Sequence, residues 1–166
     1  MSIRCQSFLE LLEQWAPPHF AEDWDNVGLL CGSRAASVTK VLVALDPFEH
    51  VCHEASEIGA DLLVTHHPLI FSGVKKISPQ NWLGRVICKA ISNGIVIYAA
   101  HTNMDKAAGG VSGLMAQKLG LQDCEALLPD SFGIVGNICF CYVSARQLYE
   151  KIFKRIYQEI HPAIDR

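Results

Sequence analysis

The sequence has no excess of positive charge: 14 Lys and Arg stand against 17 Asp and Glu, a formal net charge of −3. A protein that neutralises phosphates needs a basic surface, so no nucleic-acid partner is expected. Nor is there an apolar run near the ~20 residues a membrane-spanning helix requires, and no membrane partner is expected. The N-terminus holds no apolar stretch of signal-peptide length, because Glu10 and Glu13 interrupt it. A paired cysteine framework is missing as well. The seven cysteines, at 5, 31, 52, 88, 124, 139 and 141, are odd in number, which fits reduced thiols in a cytoplasm better than a cross-linked secreted fold. Cys88 and Cys139 lie in apolar stretches, where a thiol acts as a small hydrophobe. Cys139 and Cys141 have no second pair to complete a metal site. Low-complexity segments and short repeats are also absent.

What is there is a globular composition, with half the 166 residues apolar and 19% charged, enough for one good core. Phe8, Leu11, Leu12 and Trp15 recur at helical spacing before Pro17-Pro18, with Ser7 and Glu10 placed to form a capping box. A strand-like run at 39–45 ends at Asp46-Pro47, and a helix follows to Ile58 before Gly59. A strand at 61–65 precedes a loop through Pro68, Gly73 and Pro79. The next helix, 81–92, carries Leu83, Val86, Ile87, Ala90 and Ile91 on its buried side and stops at Asn93-Gly94. A strand at 95–100 follows, and Gly109-Gly110 opens a helix over 111–119 closed by Gly120. Strand, helix, strand, helix, strand defines an α/β fold with a largely parallel sheet flanked by helices. From residue 132 the character changes, with a strand over 134–143 and an amphipathic helix to Ile160. The expected division is a metal-binding α/β domain over 1–130 and a second unit beginning at 131–166.

Two clusters carry the chemistry. Thr65-His66-His67-Pro68 follows one strand, and His101-Thr102-Asn103-Met104-Asp105 follows another. In open α/β sheets ligand groups collect beyond the carboxyl ends of the strands, and Asp46, His66, His67, His101 and Asp105 all fall at such ends. Imidazole with carboxylate suits a borderline divalent ion, Zn, Mn or Fe. Successive side chains on a strand point oppositely, but the turn at Pro68 lets both rings reach one cavity. His101 and Asp105 share a face if the segment forms a helical turn. Asp105 could instead cap the helix that follows. Asp25 and Asn26 could support the site or simply form a turn. His19, His50, His53 and His161 read as solvated.

Trp24-Asp25-Asn26-Val27-Gly28-Leu29-Leu30, Thr65-His66-His67-Pro68-Leu69-Ile70-Phe71 and Tyr98-Ala99-Ala100-His101-Thr102-Asn103-Met104-Asp105 resemble the signatures of the NIF-three-like family. Its bacterial members are often labelled GTP cyclohydrolase 1 type 2 homologs. Val43-Ala44-Leu45-Asp46 and Gly109-Gly110-Val111 fit too, and the resemblance is strongest over residues 6–121. It implies a dinuclear centre of two divalent cations per subunit, with His66 on one ion and His67 and Asp105 on the other. His101 would lie beside them as a further ligand or as the catalytic proton carrier. It also implies a cytoplasmic, toroidal homohexamer and metal-dependent hydrolysis of a nucleotide-like small molecule, with a non-catalytic metal-binding or regulatory scaffold, or an inactive remnant, as the alternatives.

The chain departs from the family pattern in two places. Family chains continue into a second α/β half that supplies a later histidine and a bridging glutamate in an H-x-x-x-E motif. Here His161 is followed by Pro162-Ala163-Ile164-Asp165, so the expectation is a NIF-three-like first half with a C-terminally truncated start of the second. Ser112-Gly113 also replaces the usual polar pair after the glycines.

Overall fold

The computed structural model describes residues 2–129 and 132–138. In chain order the elements are β1 (Ile3–Arg4), α1 (Cys5–Trp15), a 3-10 turn (Pro18–Phe20), β2 (Gly28–Cys31), β3 (Ser37–Val38), β4 (Val41–Ala44), α2 (Glu49–Glu57), β5 (Leu62–Thr65), α3 (Trp82–Ser92), β6 (Val96–Ala99), α4 (Thr102–Lys106), α5 (Val111–Leu119), β7 (Leu121–Ala126) and β8 (Ile134–Ile138). The strand expected at 134–143 is described as far as Ile138; its remainder, the helix to Ile160, His161, Cys139 and Cys141 lie outside the described residues.

The central sheet has the order β2-β6-β5-β4. Strands β4, β5 and β6 are parallel, and β2 joins the other side of β6 antiparallel. The mixed α/β architecture with a mostly parallel sheet thus stands as read from the sequence. Two small antiparallel pairs, β1 with β3 and β7 with β8, complete the strands.

Every residue of β5 and β6 is buried, as expected for central parallel strands covered on both faces. Side chains alternate between the faces. Leu63 and Ile97 pack with Cys52 and Ala55 of α2 and Val86, Ile87 and Ala90 of α3. Leu62, Val64, Val96 and Tyr98 pack on the opposite face with Cys5 and Leu9 of α1. Each fully buried aliphatic side chain contributes about 1.5–3 kcal/mol relative to exposure, so these two layers hold the sheet. Burial pushes the Tyr98 phenol pKa up to about 12, with Glu13 adding to the effect.

Several local expectations need correction. Helix α1 starts at Cys5, whose N–H donates to the Ala36 carbonyl at 2.8 Å, so Ser7 lies inside the helix and the N-cap is Arg4, with no side-chain cap. The β1–β3 pairing sets this earlier start. With that start the buried stripe runs through Cys5 and Leu9, supported by Phe8 and Leu12, while Leu11 and Trp15 are exposed. On α3, Ile91 is exposed. Cys88 sits on the same outer side, and the buried thiols are Cys5 and Cys52. All five cysteines among the described residues are free.

Helix α3 begins at an Asn81 cap that accepts from the Gly84 N–H at 2.7 Å, and Gly120 in the left-handed region ends α5. The corner between α4 and α5 requires Gly110, where a Cβ would lie 1.9 Å from the Met104 carbonyl oxygen. Among the described residues no helix is long and apolar enough to cross a membrane.

Candidate metal centre

The parallel register pairs Ala44 with Thr65 and Thr65 with Ala99, so the three strands end level. The residues just beyond them, Asp46, His66, His67 and His101, therefore emerge on one rim. The Thr65 hydroxyl donates to the His67 carbonyl at 2.8 Å, and the His66 and His67 rings come to lie 5.1 Å apart between centroids. His101 stands at the N-cap of α4, its ring 5.1 Å from that of His66 and 5.6 Å from that of His67. One ring nitrogen from each of the three histidines lies within 4.8 Å of the others.

Each ring is held through its Nδ1. His66 Nδ1 donates to the Ala100 carbonyl at 3.0 Å. His67 Nδ1 meets Asp46 Oδ1 at 2.6 Å, and His101 Nδ1 meets Asp25 Oδ1 at 2.9 Å. A carbonyl or carboxylate partner fixes the proton on Nδ1 and leaves Nε2 as the lone-pair donor, the arrangement in which histidine ligates metals. The donor set therefore fits a borderline divalent ion. Burial pushes the His66 pKa down, and the neighbouring His101 and His67 push the same way against Asp105 and the Ala100 carbonyl. That keeps the ring neutral, its ligating form.

Asp105 lies on α4, a short helical turn, with its Oδ1 3.8 Å from His66 Nε2. It does not cap the next helix: α5 has Gly110 at its N-cap and no side-chain cap. Asp105 thus joins the rim from the His66 side.

Asp25 organises the rest. Its side chain has no exposed surface. Oδ1 accepts from the Asn26 N–H at 2.7 Å as well as from His101, and Oδ2 accepts from the Thr102 N–H at 3.1 Å and the Thr102 hydroxyl at 2.5 Å. Burial alone would raise this carboxyl, but those four hydrogen bonds outweigh it and hold the pKa below the usual carboxylate value. Thr102 is buried and also accepts the Glu22 N–H at 3.0 Å. The sequence left the role of Asp25 open between site and turn, and gave no signal for Thr102. His19, His50 and His53 are exposed and are not members of the cluster.

A mixed α/β fold with three histidines gathered at the ends of parallel strands defines the class of this protein: one whose sheet rim offers donors that could hold a metal ion. More narrowly, residues 3–163 match the Duf34/NIF3 (NGG1p interacting factor 3) family, and the chain belongs to it. It is 45% identical over 124 residues to the GTP cyclohydrolase 1 type 2 homolog of Halalkalibacterium halodurans, covering 75% of this chain and 33% of that protein. The solved structure of a Bacillus cereus protein related to NIF3 superposes with a TM-score of 0.74 at 44% identity, over 76% of this chain and 35% of that one. Reduced HcgD from Methanocaldococcus jannaschii superposes at 0.82 with 26% identity, over 91% of this chain and 60% of that one. The chain thus spans about a third of the length of the H. halodurans protein it matches.

Proposed function

We propose that His66, His67, His101 and Asp105 bind divalent metal and that this centre serves metal-dependent hydrolysis of a nucleotide-like substrate. The observation that carries the reading is the convergence of three histidines within 4.8 Å, each with Nδ1 already engaged. His66 would hold one ion and His67 with Asp105 a second, Asp105 Oδ1 lying 3.8 Å from His66 Nε2. A bound divalent ion supplies Lewis acidity, which acidifies water and polarises the group attacked. The chain's own residues do the rest. Asp46 and Asp25 orient His67 and His101 and fix the tautomer that leaves Nε2 as the donor. Where His101 is not a ligand, its Nε2 would take up and return a proton. The name of the H. halodurans relative makes GTP the first substrate to try. A cytoplasmic homo-oligomer, a toroidal hexamer in particular, is the assembly we expect, with residues 1–130 as the metal-binding unit.

A second reading, a metal-binding or regulatory scaffold without turnover, draws on the same three-histidine cluster, which could hold an ion without turning over a substrate. The two separate cleanly. Hydrolysis predicts about two equivalents of Zn, Mn or Fe by elemental analysis, as a two-ion hydrolase needs, and GTP turnover abolished in His67→Ala. Equal turnover in parent and variant would reject it. Native mass spectrometry of the same sample reads the assembly, and a monomer would reject the hexamer.

A further inference from the structure

Two large aromatic side chains stand open beside the histidines. Trp24 is 57% exposed and Phe71 53% exposed, yet their rings touch, with centroids 5.9 Å apart and planes at 46°. Trp24 also lies 6.3 Å from the His101 ring, nearly perpendicular to it. The pair therefore borders the metal centre directly.

Exposed aromatics are usually tolerated singly; these two sit on backbone that is held in place. The Trp24 loop is anchored on one side by Asp25, which binds His101 and Thr102. On the other side the Asn26 side-chain amide donates to the Ile70 carbonyl at 2.5 Å, next to Phe71. Glu22 adds an ion pair to Lys106 of α4 at 2.6 Å. Two loops joined by a hydrogen bond that spans 44 residues are thus tied together where they present their rings. Aromatic faces fixed in advance bind a planar partner with little further ordering cost.

We infer that Trp24 and Phe71 form a stacking ledge for a planar heteroaromatic ring of the substrate, which places the ring beside His101 and its reacting group over the histidines. The inference rests on the metal-centre reading and adds to it the residues that would recognise the base of a nucleotide-like substrate, Trp24 and Phe71.

The test uses the full chain loaded with zinc, and calorimetric titration with guanosine, GTP and inorganic triphosphate. Trp24→Ala and Phe71→Ala are compared with Trp24→Phe, and with Trp82→Ala as a control at an exposed Trp elsewhere. Loss of one stacking contact weakens binding about tenfold or more. The expected result is that loss for guanosine in both alanine variants, near-parent affinity in Trp24→Phe and Trp82→Ala, and unchanged binding of triphosphate. Zinc content stays at the parent value throughout. Guanosine affinity equal to the parent in Trp24→Ala, or an equal loss in Trp82→Ala, overturns the ledge. So does a zinc-loaded parent that binds no guanosine, which leaves the metal centre standing. A parent that takes up no zinc overturns the metal reading and the ledge with it.

Discussion

Replacing Asp25 with Asn changes one atom and a charge, and the geometry around it leaves the amide no good orientation. Oδ1 faces the Asn26 N–H and Oδ2 faces the Thr102 N–H. Whichever way the amide is turned, its NH2 group points at a backbone donor. Thr102 cannot relieve the conflict freely, because its hydroxyl already accepts the Glu22 N–H. Hydrogen bonds to a charged group contribute about 1.5–3 kcal/mol each, and a buried donor left unpaired costs about 1–3 kcal/mol. Since such terms do not add fully, the expected destabilisation is about 3–4 kcal/mol. For a chain of this size that lowers the melting temperature by about 10 °C. Zinc affinity falls as well, by about 10- to 100-fold, because His101 loses the carboxylate that orients it. Circular dichroism melts and competition against a zinc-chelating dye measure the two effects. The dependence on pH has a definite sign. The folded Asp25 pKa is depressed, so its stabilisation is present above the unfolded carboxyl pKa of about 3.9 and is lost as pH falls through the lower folded value. The gap between parent and variant should be full at neutral pH and should close only in that acid window. An Asn variant that melts with the parent and holds zinc as tightly would refute the reasoning.

Other outcomes follow from the same structure. Ile97→Ala removes a fully buried side chain of β6 and should cost about 2–5 kcal/mol, read by urea unfolding; a loss below that range would contradict the packing described. Asn81→Ala deletes the α3 cap and should cost about 1 kcal/mol, while Asn81→Asp retains most of it. Asp61 accepts from the Thr39 N–H and hydroxyl, both at 2.7 Å, and from the Lys40 N–H at 3.0 Å. The Thr39 hydroxyl bond leads the effects that lower its pKa. Asp61→Asn should therefore destabilise above the unfolded carboxyl pKa and converge with the parent as pH falls through the folded value, in melts recorded across that range.

Strands β4, β5 and β6 and helices α2, α3 and α5 are legible in the sequence because runs of Leu, Val, Ile and Ala alternate with helical spacing and stop at Gly59, Gly94 and Gly120. Strand β2 lies largely within the motif that ends at Leu30, and nothing local tells it to pair antiparallel with β6. Strand β7 was not legible at all: Leu121-Gln122-Asp123-Cys124-Glu125-Ala126 has no buried residue, so hydrophobic periodicity carries no signal there. Leu11, Trp15 and Ile91 misled because an apolar residue at helical spacing need not face the core. At the site, the histidines were readable from their place after two apolar runs. The bond from Asp25 to His101 spans 76 residues, and a contact of that separation leaves no trace in local pattern. Trp24 and Phe71 were visible as motif members, but their meeting is a product of the fold.

The level ends of β4, β5 and β6 act as a gauge on the whole rim. One residue along a parallel strand is a step of about 3.3 Å, most of the 4.8 Å that encloses the three histidine nitrogens. A slip of one position between β5 and β6 would carry His101 away from His66 and turn alternate side chains to the wrong face. Affinity for an ion at the rim is therefore also a reading of strand alignment some distance below it. A substitution buried among Leu63, Val96 or Ile97 can silence the centre without touching a ligand.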